Sequence, residues 1–210
     1  MLVYCELEEA FLMTSPKEPS SRKGHVCPWW LGYTFDNPVR KLFHRPQKLL
    51  APYLAAGMRA MDVGCGMGYF SIAIAKMVGD RGKVFCVDLQ RKMLEITEKR
   101  ARRAKLNGRM VFCRCEPDYL GITEKVDFIL SFWMVHEVND QKAFFSQLQS
   151  NLNSDGKILV VEPKIHVAAA DFQHTLEIAQ SAGLRISEQP VIRFSHAALV
   201  SNKARKYQRQ

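Results

Sequence analysis

From residue 58 onward the apolar positions follow two alternating periods. Arg59–Val63, Val84–Val87, Met110–Cys113, Val126–Trp133 and Lys157–Val161 are short runs dominated by apolar side chains. Such runs mark strands buried on both faces. Between them, apolar residues recur at three- and four-residue spacing. Tyr69–Val78 does so with Phe70, Ile74, Met77 and Val78, and Arg91–Lys105 with Met93, Leu94, Thr97, Ala101 and Ala104 inward and most cations on the other face. Gln141–Leu152 and Ala169–Ala182 complete the helices, Asn153-Ser154-Asp155-Gly156 reads as a turn, and Gly183 ends the last helix. Leu184–Ile192 and His196–Ser201 read as two closing antiparallel strands, with Pro190 at an edge or bulge. Strands alternating with helices of this length imply right-handed crossovers and a mainly parallel α/β sheet.

Ahead of this region the pattern breaks. Residues 14–24 are polar and rich in Pro and Ser, and read as a flexible leader. An aromatic cluster follows (Trp29, Trp30, Tyr33 and Phe35), then Asn37 as a helix cap with Pro38 at the first helical position. Leu42, Leu49, Leu50, Tyr53 and Leu54 suggest one or two short helices, interrupted near Pro46 and stopped at Gly57. The expected organisation is a leader (1–26), N-terminal cap helices (27–57), an α/β domain (58–202) and a basic tail (203–210).

Composition narrows the function classes. With 47% apolar and 24% charged residues, the 210-residue chain has the balance of a soluble globular protein. No apolar run reaches the roughly 18–20 residues of a membrane span, and Glu6, Glu8 and Glu9 stand where a signal peptide carries cations. Six cysteines without a CxxC pair then point to reduced thiols in the cytoplasm, and no metal site is expected. The formal charge of +9 invites a nucleic-acid reading until it is located. Residues 91–109 hold eight cations against Glu95 and Glu98, and Lys203, Arg205, Lys206 and Arg209 lie in the tail. The excess is one helix face and one tail.

The chemistry concentrates in Met61-Asp62-Val63-Gly64-Cys65-Gly66-Met67-Gly68-Tyr69-Phe70, where a strand runs through three alternating glycines into a helix. Glycines allow a sharp turn and close approach of a ligand to the backbone. Asp62 would repel a pyrophosphate but favours a ligand carrying an ammonium group. Asp88, 20 residues after Gly68 at the next strand end, can accept both hydroxyls of a ribose. An adenosine with a cationic amino-acid tail fits these acids better than a dinucleotide does.

On these residues the sequence resembles the class I S-adenosylmethionine-dependent methyltransferases over residues 58–202. Asp62-Val63-Gly64-Cys65-Gly66-Met67-Gly68 matches the family's first motif, and Asp88-Leu89 its ribose-binding acid. Residues 127–138, together with Ile158–Pro163 and Ala182–Leu184, look like the branch holding quinone-biosynthesis and arsenite methyltransferases. The resemblance implies a seven-stranded, mainly parallel Rossmann-like sheet with an antiparallel C-terminal strand and helices on both faces. It implies S-adenosylmethionine as cofactor, S-adenosylhomocysteine as product, and adenine contact at Glu116-Pro117 with Asp118 as the alternative acid. Ser131 and Phe132, at the fourth strand's end, should border the methyl donor. With Cys65 these complete the expected cofactor set.

His136 and Glu137 are the acid/base candidates, against a structural role as a polar helix cap. Tyr33, with Trp29 and Trp30, is the candidate lid over the acceptor, against a role as a packing cluster. Methyl transfer is an in-line SN2 displacement, so positioning dominates and a base is needed only when the acceptor is protonated. The Asn-Pro-Pro-Tyr type of loop for adenine methylation is absent, and Cys5, Cys27 and Cys65 lack the spacing for arsenite chemistry. The expected acceptor is a small, partly apolar metabolite. The alternatives are an RNA or protein methyltransferase docking through helix 91–109, and a non-catalytic S-adenosylmethionine-binding sensor or subunit.

Overall fold

The structure, a computed structural model, describes residues 44–203. The leader, the aromatic cluster with Trp29, Trp30 and Tyr33, the Asn37-Pro38 cap and residues 204–210 lie outside the described residues. A short helix α1 (Pro46–Leu50) leads into β1 (Arg59–Val63), α2 (Tyr69–Val78), β2 (Lys83–Asp88), α3 (Arg91–Arg103), β3 (Met110–Arg114) and β4 (Val126–Phe132). Then come α4 (Gln141–Asn151), β5 (Leu152–Pro163), α5 (Ala169–Ser181), β6 (Leu184–Glu188) and β7 (Ser195–Asn202). The seven strands form one sheet in the order β3-β2-β1-β4-β5-β7-β6. The pairs from β3 to β5 are parallel, and β7 runs antiparallel to both β5 and β6.

Strand side chains alternate between the faces with period two, and each face buries its own core. Met61, Val63, Ile129 and Ile158 pack against Phe145 and Leu148 of α4 and Leu176 of α5. Ala60, Phe128, Leu130 and Leu159 pack against Leu50 of α1, Ile74 and Val78 of α2 and Leu94 of α3. The sheet order reverses direction between β1 and β4, and there Val63 lies opposite both Val87 and Ser131. Three loops therefore leave the sheet side by side at its C-terminal edge, the usual place for a ligand crevice in such a sheet.

The alternation of strands and helices is as the sequence implies, with four local differences. Asn153-Ser154-Asp155-Gly156 is no free turn but lies within β5, as a bulge between the Val126–Leu152 and Phe128–Lys157 pairs. It is held by Asn153 Nδ2 donating to Asp127 Oδ1 (2.6 Å) and Asn202 Nδ2 donating to the Asn153 carbonyl (3.1 Å). Strand β6 stops at Glu188, so Pro190 lies in the connection to β7. Ala104 is exposed rather than inward, because α3 ends there. Finally, Lys105 takes a left-handed φ of 57° while Leu106 N–H reaches back to the Ala101 carbonyl (2.9 Å), a Schellman closure.

Candidate active site

The loop between β1 and α2 is shaped by positive φ at Gly64 (69°), Gly66 (54°) and Gly68 (81°), a conformation that penalises any side chain. It is fastened from two sides. The N–H groups of Gly64 and Cys65 both donate to the Val87 carbonyl, at 2.9 and 3.1 Å. Thr97 Oγ1 of α3 donates to the Gly66 carbonyl (2.8 Å) and Arg100 Nη1 to the Met67 carbonyl (2.8 Å). A Cβ on Gly68 would lie 2.6 Å from Thr97 Cγ2, and one on Gly64 2.9 Å from Met134 Cγ, so both glycines are sterically required. Around Gly66 nothing lies within 4 Å of such a Cβ, which leaves room for a ligand.

Asp88 is 7% exposed. Its Oδ2 accepts the Gly66 N–H and its Oδ1 the Gln90 N–H, both at 2.9 Å. Burial raises its carboxyl above the usual range, against the pull of these two donors. Each oxygen keeps a lone pair, so the carboxylate can still accept from a diol. Asp62 is also buried, at the end of β1 behind the loop, and accepts from Ser71 Oγ (2.5 Å). Cys65 is buried too, which pushes its thiol well above the ordinary value, so it is no nucleophile. Glu116 and Pro117 are exposed. They are held beside Asp88 because Cys115 N–H donates to the Asp88 carbonyl (3.1 Å) and Glu116 pairs with Tyr119 across a tight turn. Half-buried Leu89 packs against the core.

At the end of β4 the expected residues separate. Ser131 is fully buried and its hydroxyl has no hydrogen-bond partner among the described residues. Phe132 instead packs into an aromatic cluster, 4.4 Å from the Phe70 ring and 5.3 Å from His44. That side of the strand faces α2, so the period-two alternation gives Phe132 a packing role. Trp133 turns the chain with a φ of 62°, and its Nε1 donates to Ser195 Oγ (3.0 Å).

The turn that follows is organised by a residue the sequence reading did not single out. Glu162, at the end of β5, is 1% exposed. Its Oε1 accepts the N–H groups of Met134 (3.1 Å) and Val135 (3.0 Å). Its Oε2 accepts the His136 N–H (3.3 Å) and lies 2.5 Å from His136 Nδ1. This hydrogen bond raises the His136 pKa, and partial burial opposes it. Glu137 is half-buried on the same turn. His136 and Glu162 line a groove of about 730 Å³ between α4 and α5, together with Val138, His166, Val167 and Ile178. Thr97, Arg100 and Ser71 were likewise missed as loop supports. The only signal for Glu162 was a carboxylate ending an apolar strand.

This set fits S-adenosylmethionine. Asp88 would hold the ribose, Glu116-Pro117 the adenine edge, and the open space over Gly66 would admit the chain joining them to a cationic tail beside Asp62. No group of three or more His, Cys, Asp or Glu able to hold a metal exists among the described residues.

Comparison with known proteins agrees. A family model described as a methyltransferase domain matches residues 54–203. A demethylmenaquinone methyltransferase of Lactobacillus johnsonii is 29% identical over 128 residues, covering 60% of this chain and 50% of the relative. A protein-L-isoaspartate O-methyltransferase of Caenorhabditis elegans is 39% identical over 77 residues, 37% of this chain and 34% of the relative. The chain thus spans half or less of the length of these curated relatives. The crystal structure of a SAM-dependent methyltransferase from Aquifex aeolicus superposes with a TM-score of 0.76 at 22% identity, covering 83% of this chain and 98% of that one, and so shares the fold. The chain belongs to the methyltransferase domain family.

Proposed function

We propose that this chain transfers a methyl group from S-adenosylmethionine to a small, partly apolar metabolite. The observation that carries the reading is Asp88 clamping the Gly66 amide beside an open glycine turn. It supports an adenosine-binding site, and the residues about it carry acids rather than the cations a pyrophosphate needs. When bound, the cofactor supplies an electrophilic methyl on a sulfonium. The chain's own contribution is alignment: the loop, Asp88 and Glu116-Pro117 fix the adenosine, while Ser131 and the turn after β4 border the reacting end. Holding nucleophile and methyl in line provides much of the acceleration of such a displacement.

The mixed apolar and polar groove beside His136 supports a small acceptor, as does the similarity to a demethylmenaquinone methyltransferase. Relatives named protein-L-isoaspartate O-methyltransferase favour a second reading, a polymer acceptor docked on α3. Against it, Arg91, Lys92 and Arg102 pair with glutamates of α3 itself, Arg109 pairs with Asp80, and Arg100 serves the glycine loop.

Calorimetry with S-adenosylhomocysteine tests the site. Asp88→Ala should weaken binding by about 2–3 kcal/mol, roughly 30- to 150-fold, through lost charge-assisted contacts; unchanged affinity would contradict the assignment. Methyl-labelled cofactor incubated with fractionated cell extract should label small molecules. Label in RNA or protein, with steeply salt-dependent docking, would favour the second reading, and intact binding with no labelled product would favour a sensor.

A further inference from the structure

We propose that Glu162 and His136 form a carboxylate–imidazole base that activates the acceptor by removing a hydroxyl proton, which makes the acceptor a phenol or enol. The inference rests on the methyl-transfer reading above and adds its acceptor chemistry.

The geometry decides the tautomer. Four groups converge on the buried Glu162 carboxylate, and the three backbone N–H groups among them can only donate. Three donors on its two oxygens stabilise the carboxylate form, so the hydrogen shared across the 2.5 Å contact is assigned to Nδ1 of His136, which donates to Glu162. In the neutral ring that leaves Nε2 bare. Glu162 is a positioning residue: it sets the ring's orientation and tautomer and stabilises the imidazolium formed on proton uptake. An isolated buried carboxylate is costly, and four donors on one carboxylate offset that cost.

The base is also in the right place. Its ring lines the groove, and Met134 of the same turn packs against Gly64 of the cofactor loop, where an added Cβ would stand 2.9 Å from Met134 Cγ. Glu137 of the same turn acts on His136 electrostatically, and the groove's own charges come from Asp140 and Lys142 at the start of α4, His166 before α5, and Asp171 and His174 on α5. A neutral hydroxyl suits this base. A thiol ionises near neutral pH with little help, and a protonated amine would be repelled by the imidazolium. In the step, the O–H proton passes to Nε2. The electron pair left on oxygen, or on the carbon conjugated with it, bonds to the methyl as the C–S bond breaks and its electrons return to sulfur. For methylation at oxygen the imidazolium then yields its proton to water; for methylation at carbon it returns that proton to the oxygen, and the displaced hydrogen leaves as a proton to water.

The test uses the full chain saturated with S-adenosylhomocysteine and labelled with ¹⁵N-histidine, the His136 signals being assigned with His136→Asn. Above its titration the neutral His136 ring should show protonated Nδ1 and bare Nε2, and Glu162→Gln should move its midpoint down by about one pH unit or more. The tautomer is read on the unaltered protein, so the proposal stays testable if Glu162→Gln disrupts the turn. With methyl-labelled cofactor and a small-molecule extract, label should appear on oxygen or its conjugated carbon. His136→Asn should cut that rate about 100-fold or more with product affinity within threefold. An Nε2–H tautomer, label on nitrogen or sulfur, no labelled product despite bound cofactor, or an undiminished His136→Asn rate would overturn the base. Failure of the unaltered protein to bind S-adenosylhomocysteine would instead overturn the methyl-transfer reading itself.

Discussion

Gly68→Ala probes the fastening of the cofactor loop. At a φ of 81° an alanine pays for the left-handed conformation, about 1–2 kcal/mol. Its Cβ would also stand 2.6 Å from Thr97 Cγ2 and 2.9 Å from Thr97 Oγ1. Thr97 is fully buried, so it must rotate against its neighbours and release the 2.8 Å hydrogen bond to the Gly66 carbonyl, about 0.5–1.5 kcal/mol. The expected total is about 1.5–3.5 kcal/mol, a large share of a typical stability of about 5–15 kcal/mol. Thr97→Ala removes the two closest atoms and leaves only Cβ, at 3.1 Å. In that background Gly68→Ala should cost only the backbone component, about 1–2 kcal/mol, leaving a coupling of about 0.5–1.5 kcal/mol between the sites. Urea unfolding of the four proteins closes the cycle, with the slope checked for constancy. An equal cost of Gly68→Ala in both backgrounds would refute the steric argument, and a cost under about 0.5 kcal/mol would refute the backbone one as well.

Lys105→Gly should stabilise the protein by about 0.5–1 kcal/mol, because an exposed residue with a φ of 57° in a Schellman closure gains only backbone relief; an unchanged urea midpoint would contradict this. The raised pKa of His136 means that its ion pair with Glu162 stabilises the fold fully below about pH 6.5 and is lost as the pH rises through the higher folded value. The urea midpoint should therefore fall across that window, and more steeply than in His136→Asn; parallel profiles would remove the pair from the account. Replacing Lys99, Arg103 and Lys105, all exposed on or just after α3, by Gln should leave cofactor affinity within twofold by calorimetry, since none borders the glycine loop.

The sheet and the glycine loop were legible because their signals are local. Short apolar runs and three alternating glycines are set by neighbours in sequence, and Asp88 follows at a spacing fixed by one βαβ unit. What stayed hidden depends on distant partners. Asn153–Gly156 has the composition of a turn, yet Asp127 and Asn202 hold it in β5. Phe132 ends β4 like any apolar strand residue, and only the docking of α2 and His44 on that face shows it packed in an aromatic cluster. Arg100 looks like one more cation on a solvated face until α3 is docked on the Met67 carbonyl. Glu162 stands 26 residues from the turn it organises, and nothing in its own segment shows the four donors that converge on it.

The position of β7 has a consequence for assembly. It lies between β5 and β6, although it follows both in the chain, so Ile158–Val161 keeps an unsatisfied edge until residues 197–200 arrive beside it. During synthesis the cofactor-binding half can form while this apolar strand stays open to pairing with another chain. A ribosome-bound chain ending near residue 190 would carry every side chain assigned here to the cofactor and to the base, yet would be a sticky intermediate; its final strand acts as a built-in chaperone for the fold.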